Sequence, residues 1–452
     1  MDEIIALCKR RGFFYPASEI YGGLANTWDF GHYGTLLKNN LRDLWWDYFV
    51  LKRDDMVGID ASIFLSPRVW EASGHVVNFT DALVDCKNCH YRTRADHLIE
   101  DNLKLKVEGL PVKELTEIIK KNNLNCPKCG QSNFTDVRRF NLLFETKIGI
   151  VEEKKSLTYL RGEIAQGIFL NFKNVLNTMR VKLPFGIAQQ GKAFRNEITM
   201  GQALYRTLEF DLMEFEYFIQ PENWQKIYAY WQEQMWHFAL LVGLEEKKLR
   251  WREHQEFERS HYSKKTMDIE YYYPFGWKEI FGLAYRTDFD LKNHMLHSGK
   301  DLNYLDPQTH KKFIPHVIEP TFGLSRLTFT LLVNSYRQET IRGKKRYYLA
   351  FNPQVAPIKL AVFPLQKDAK LITKAQAIYQ RLKASYVSEF DSSYNIGQMY
   401  RRQDEIGTPY CLTVDYQTLD DETLTVRERD SMSQERVGVG RLDEYLRFKL
   451  KH

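Results

Sequence analysis

The chain has 452 residues, 44% of them hydrophobic, and a net charge of +6. That length suggests two to four domains with cores large enough to need no disulfide staples. The pI near 8.7 permits a polyanionic partner but falls short of a dedicated nucleic-acid module. No run of about 18 apolar residues exists, so no membrane-spanning helix is predicted. Met1-Asp2-Glu3 opens without the basic and apolar regions of a secretory leader. The expected location is therefore cytoplasmic, where six cysteines stay reduced.

In residues 34–50, Leu37, Leu41, Leu44, Trp45 and Tyr48 fall on one helical stripe. A short apolar run at 61–65 stops at Pro67 and reads as a strand meeting a breaker. Residues 80–140 read as an insertion, with two CxxC units around a charged amphipathic stretch at 97–121. A helix is predicted over 164–180, then strands over 186–197 and 208–219 joined by a polar turn. In the second strand, Met213, Phe215, Tyr217 and Ile219 share one face. Phe210, Leu212, Glu214 and Glu216 share the other, which is either solvent-exposed or the floor of a site. An aromatic-rich helix covers 223–244, and strands with a Pro-Phe-Gly turn cover 267–291. A short strand from 317 leads through Glu319-Pro320 into a helix near Gly323. Residues 341–357, basic and then interrupted by proline, read as a linker. Beyond it, strands at 358–365, 386–390 and 410–415 alternate with helices at 368–383 and 396–402. With a last helix at 441–449, this suggests a small α/β domain.

Cys86, Cys89, Cys126 and Cys129 form a CxxC…CxxC pattern. Two knuckles offering four thiolates suit a closed, tetrahedral, structural Zn²⁺ site. Two unrelated pairs of buried cysteines are the alternative. His294, His297, His310 and His316 lack carboxylate-rich spacing and read as structural or exposed.

Residues 189–218 (QQGKAFRNEITMGQALYRTLEFDLMEFEYF) resemble motif 2 of the class II aminoacyl-tRNA synthetases. Residues 317–329 (VIEPTFGLSRLTF) resemble motif 3. The 34–50 helix with the run ending at Pro67 is similar to motif 1, the dimer element. The segments EIYGGLANTWDFG, VWEASGHVVNFTD, RFNLLFETKIG, LRGEIAQGIFLNFKNV, AFRNEI, YRTDFDLKNH and IEPTFGLSR resemble, in order, those of homodimeric-type glycyl-tRNA synthetases. That resemblance spans nearly the whole chain. It implies an α+β architecture: a class II antiparallel-sheet catalytic core at 1–350, a zinc-ribbon-like insertion at 80–140, and a C-terminal α/β anticodon-binding domain at 355–452. It also implies a homodimer that uses ATP and Mg²⁺ to make glycyl-adenylate, then charges the 3′-hydroxyl of tRNA(Gly). A noncatalytic class II-like nucleic-acid-binding protein and a synthetase for another small amino acid are the competing readings.

The resemblance assigns residues to this chemistry. Arg195 meets the α-phosphate, Arg326 the γ-phosphate, and Arg206 the β- and γ-phosphates. Arginines suit these roles because they stay charged and fork onto phosphate. Glu197 lies near the adenine amino group, and with Arg195 and Arg326 makes the expected catalytic set. Phe210 stacks on adenine; Asn196, Tyr205 and Gly323 complete the ATP contacts. Glu279, with Ile280 beside it, holds Mg²⁺ or nucleotide. Glycine offers only an ammonium and a carboxylate as handles. Glu163, Glu214 and Glu319 match the family's ammonium-binding acids. Arg94, Phe210, Thr321 and Gly323 match further substrate contacts, and Arg286 a carboxylate partner. Phe210 and Glu214 share a strand face about 13 Å apart, which suits adenine at one end and ammonium toward the other. Crowded acids predict at least one raised pKa. Gly162, Ile164, Leu208 and His32-Tyr33 depart from the family pattern. Lys374, Arg381, Lys383, Arg401 and Arg402 are candidates for tRNA phosphate contacts.

Overall fold

The computed structural model describes every residue except 106, 108, 150–156, 199–200 and 452. Its centre is a sheet of seven strands: β1 (Met56–Gly58), β2 (Phe185–Phe194), β3 (Glu209–Ile219), β4 (Leu249–Glu253), β5 (Lys265–Tyr273), β6 (Gly276–Thr287) and β7 (His316–Gly323). The spatial order is β4-β5-β6-β7-β3-β2-β1. All neighbours are antiparallel except β1, which runs parallel to β2. Five helices accompany it: α1 (His32–Trp46), α2 (Ala165–Met179), α3 (Trp224–Leu241), α4 (Phe289–Ser298) and α5 (Leu324–Ser335).

Alternation along β3 sorts the sheet into two faces. Met213, Phe215, Tyr217 and Ile219 join the main core with Leu37, Leu41 and Trp45 of α1 and Trp231 and Phe238 of α3. The predicted stripe of the first helix is therefore its buried side. On the other face Phe218 packs with Phe169 and Phe172 of α2 and Leu291 of α4. The even-numbered Glu214 and Glu216 belong to that face.

Two expectations fail locally. The 61–65 run is not a strand; within it only Phe64 makes a bridge, to Leu160. Arg161 takes the carbonyl of Ala61 at 2.8 Å, and the edge strand lies earlier, at β1. Residues 341–357 do not begin as a linker. Tyr336–Ile341 and Lys344–Leu349 form an antiparallel hairpin, with Arg342 and Gly343 at positive φ in its turn. The first thirty residues, left unassigned by periodicity, hold a helix (Asp2–Arg11) and a paired Phe14–Pro16 and Trp28–Phe30.

The C-terminal sheet contains β8 (Leu360–Pro364), β9 (Ser388–Phe390), β10 (Tyr410–Val414), β11 (Thr423–Glu428) and β12 (Gln434–Gly438), ordered β9-β8-β10-β11-β12. β8 runs parallel to both neighbours, and the remaining pairs are antiparallel. Helices α6 (Ala369–Lys383) and α7 (Ile396–Ile406) start at Asp368 and Asn395, whose side chains cap the first free N–H groups. Between β1 and β2, a separate small core lies within 84–137, under the helices Ala95–Leu103 and Val112–Lys121. Among the described residues no helix is long and apolar enough to cross a membrane.

Candidate active site

A cleft enclosing about 620 Å³ opens where β2, β3, β6 and the start of α5 converge. Arg195 directly follows β2, and its Nε donates to the Gly162 carbonyl at 3.0 Å. The guanidinium stands 5.3 Å from the Phe210 ring, so one wall presents both a fork and an aromatic face. Glu197 follows, with Arg206 Nε 4.0 Å from its carboxylate. The Asn196 N–H donates to Leu142 O at 2.8 Å, tying this turn to the segment before β2.

Arg326 is on the first turn of α5, whose N-terminus favours negative charge. Its Nη1 pairs with Glu279 at 3.0 Å, and its guanidinium lies 4.7 Å from the Tyr205 ring. Tyr205 in turn donates to the Glu279 carbonyl at 3.1 Å. Desolvation works to raise the Glu279 carboxyl, but the charges of Arg326 and Arg195 outweigh it and hold it low. Gly323 precedes α5; an added Cβ would sit 3.3 Å from Arg326 Cβ. The Ile280 side chain turns into the main core, leaving only its backbone on the cleft side, where the carbonyl lies 3.9 Å from the Cβ position of Gly323.

Deeper in, the acids converge. Arg286 is 0% exposed and forks onto Asp290 at 2.8 and 2.9 Å. Its third nitrogen donates to Glu319 at 2.7 Å, and Glu163 lies 3.6 Å away. Glu163 also accepts from Gln166 at 2.8 Å and meets His75 at 3.2 Å. Burial opposes its charge, yet His75 and Arg286 prevail and keep it well below the usual range. Glu214, opposite Thr321 in the β3–β7 register, accepts from that hydroxyl at 3.3 Å. Burial and the neighbouring charges of Glu319 and Glu163 push Glu214 well up. Glu319 is raised to about 7. The expected acids are thus together, and the expected perturbation is present.

Two placements refine the sequence reading. Arg286 engages Asp290, Glu319 and Glu163, so it clamps the acids instead of standing free for a carboxylate. Arg94 pairs with Asp81 at 3.2 Å and Asp96 at 2.5 Å, at the outer mouth it shares with His75 and Glu163. Periodicity missed His75, Gln189 and Asp290, which carry no local pattern; only the charged face of β3 hinted at Glu216. His294 is buried and donor or acceptor to Gln166 at 2.8 Å, in keeping with a structural role.

The four cysteine sulfurs of the insertion all lie within 4.8 Å of one another, with Cys86–Cys129 and Cys89–Cys126 at 3.6 Å. Each knuckle closes by the same turn: the N–H groups of His90 and Gly130 donate to Cys86 and Cys126, and both residues have positive φ. Of the basic C-terminal candidates, Lys374 pairs with Glu422, Arg381 donates to Val439 O at 2.7 Å, and Arg402 reaches Tyr33 at 3.4 Å. Lys383 lies 5.5 Å from the Tyr379 ring, and Arg401 is exposed.

Comparison with known proteins agrees with this arrangement. Residues 359–449 match the family described as Anticodon binding domain, and residues 103–142 match Glycyl-tRNA synthetase insertion domain 1. The chain is 50% identical over 456 residues to the glycine–tRNA ligase of Caldanaerobacter subterraneus subsp. tengcongensis, covering 100% of this chain and 98% of that protein. It is 50% identical over 458 residues to the glycine–tRNA ligase of Clostridium acetobutylicum, covering 100% and 99%. The glycine–tRNA ligase of Clostridium tetani is also 50% identical over 458 residues, covering 100% and 98%. Identity of that extent along the full length, together with the matched insertion, means that this chain belongs to the glycyl-tRNA synthetase family.

Proposed function

We propose that the chain activates glycine with ATP and transfers the glycyl group to tRNA(Gly). The observation that carries this reading is the set of buried acids, Glu163, Glu214 and Glu319, gathered near Arg286 and linked through Thr321 to an arginine-walled cleft. An ammonium is a small cation that such a set of acids would accept beside a nucleotide site.

The glycine carboxylate is ionised at neutral pH, so its attack on the α-phosphorus needs no general base. Pyrophosphate leaves as the new P–O bond forms. Catalysis is then positioning and charge stabilisation. Arg195 holds the α-phosphate, Arg326 and Arg206 the outer phosphates, and Phe210 stacks on adenine beside Glu197. Asn196, Tyr205 and the backbone of Gly323 and Ile280 complete the nucleotide's surroundings. Glu163, Glu214 and Glu319 receive the ammonium, with Thr321 and Arg286 fixing their orientation and Arg94 at the mouth. Glu279, kept ionised and open to the cleft, would hold Mg²⁺ with the phosphates; the ion supplies charge neutralisation there. In the second step a ribose hydroxyl of the tRNA attacks the carbonyl and AMP leaves.

Cys86, Cys89, Cys126 and Cys129 would hold a structural Zn²⁺. Sulfur separations of 3.6 Å suit a tetrahedron with metal–sulfur bonds of about 2.3 Å. Residues 1–350 then form the class II core, 80–140 its inserted unit, and 355–452 the anticodon reader. Ile20 and Tyr21 are 90% and 87% exposed, an apolar patch that supports a homodimer. Reduced thiols fit the cytoplasm.

The test is ATP–pyrophosphate exchange without tRNA, with glycine, alanine and serine in parallel. Exchange with glycine alone is expected. No exchange with any of them, from folded protein, would favour the noncatalytic nucleic-acid-binding reading instead.

A further inference from the structure

One carboxyl in the acid cluster has no part in the chemistry above. Glu216 lies two residues beyond Glu214 on the same face of β3 and is 0% exposed. Glu214, Glu216 and Glu319 bring carboxylate oxygens within 4.8 Å of one another. Their partners differ. Glu319 accepts from Arg286 at 2.7 Å and Glu214 from Thr321 at 3.3 Å. Among the described residues, neither oxygen of Glu216 meets a hydrogen-bond donor. Gln189 stands directly opposite Glu214 in the β2–β3 register, is also fully buried, and has neither amide atom partnered.

A buried carboxylate without a cation or donor is far costlier than the neutral acid. The charged groups facing Glu216 are Glu214 on its own strand, Glu319 on β7, Arg286 on β6 and Asp290 on α4. Arg286 is the one cation in that set, and it is already forked onto Asp290 and bonded to Glu319. Burial, with the charges of Glu319 and Glu214, holds the Glu216 carboxyl well above the usual range despite Arg286. Glu214 retains a buried oxygen, Oε1, that lacks a donor. A neutral Glu216 has an O–H to give.

We propose that Glu216 is a neutral carboxylic acid which, with the Gln189 amide, forms a polar floor that positions the Glu214 and Glu319 carboxylates for the substrate ammonium. This makes Glu216 a positioning residue, and it rests on the glycine-activation reading. The floor turns a crowd of repelling acids into an ordered set with its charge directed outward, toward the cleft.

Infrared difference spectroscopy on the full chain, without substrate at neutral pH, reads the proton directly. A neutral acid has a carbonyl stretch separate from the carboxylate bands. Glu214 and Glu319, both raised, add to that carbonyl band, so its intensity is expected to fall in Glu216→Gln by the share of one carboxyl; an unchanged intensity overturns the proposal. Should Glu216→Gln not fold, the double variant Glu214→Gln/Glu319→Gln takes its place: persistence of the band supports the assignment to Glu216, and its loss overturns it. Kinetics give an independent reading. Glu216→Leu should raise the KM for glycine about tenfold in exchange, the worth of one hydrogen bond to a charged group, with a smaller change in kcat. Glu216→Gln should recover most of that loss, since an amide keeps a donor. Equal damage from Gln and Leu would mean an ionised ammonium ligand and would overturn the proposal. Lack of glycine-dependent exchange in the unaltered chain would sink the functional reading alone, because the infrared band is read without substrate.

Discussion

Glu319 sits between opposing demands. Burial raises its carboxyl, Arg286 pulls it back, and Glu163 and Asp290 push it up again, to about 7. Ammonium binding needs the ionised form, so the KM for glycine should rise as pH falls from about 8 to about 6, by up to about tenfold per unit below 7. Measured exchange across that range checks it, and a flat profile would count against Glu319 as an ammonium ligand. The same shift has a stability consequence. Between its ordinary value of 4.5 and about 7 the folded chain keeps this proton longer than the unfolded chain. The contribution of Glu319 to stability is therefore highest below that window and declines as pH rises through it. Glu163, with its carboxyl held low, makes the opposite contribution, which is present above its ordinary value and lost in acid.

At the level of elements, Gly34 fixes how α1 meets the N-terminal segment. A Cβ there would stand 1.9 Å from the Phe13 carbonyl oxygen. Gly34→Ala should destabilise the chain by about 1–3 kcal/mol, seen as a lowered thermal midpoint. The insertion is a small core closed by its cysteines, so stripping a bound metal should open it. Chelation is expected to expose residues 104–130 to protease and to lower tRNA charging more than exchange, since a structural zinc contributes folding free energy outright. How much of this could be read from the sequence varied with the kind of signal. The 3.6 and 2.0 periods located α1, α2, α3 and β3, and the CxxC spacing paired the four thiols. The N-terminal strands are three residues each, too short to carry a period. The basic run at 341–349 looked like a linker because Arg346, buried against Asp404, has no periodic signature as an anchor. At the site, the resemblance named Glu163, Glu214 and Glu319, which the fold brings together, whereas Asp290, His75 and Gln189 are legible only once the chain has brought distant segments together.

Across the whole molecule, one buried ion network fastens the 336–349 hairpin to the C-terminal sheet. Asp404 on α7 accepts from Arg346 of the hairpin at 2.8 Å and from Arg427 of β11 at 2.9 and 3.1 Å. Arg429 adds bonds to the carbonyls of Gly407 at 2.8 Å and Phe351 at 2.9 Å. Near the amino terminus, Arg11 reaches Glu405 at 2.6 Å, and Tyr33, one of the departures from the family pattern, donates to Glu389. The hairpin and the N-terminal helix are thus both fastened to the C-terminal unit. Asp404→Ala removes the carboxylate shared by two buried guanidiniums and should cost about 3–5 kcal/mol. In calorimetry the C-terminal unit should then melt ahead of the rest, while a single unsplit transition at the original temperature would argue against the coupling.

β3 also constrains how such a site can change. Phe210, Leu212, Glu214 and Glu216 occupy alternate positions of one unbroken strand, increasingly enclosed from the cleft inward. An inserted or deleted residue anywhere between them would rotate every later side chain through to the opposite face, sending the acids into the aromatic core and phenylalanines into the cleft. The strand works as a ruler with fixed marks: its letters can be exchanged one at a time, but its length cannot drift.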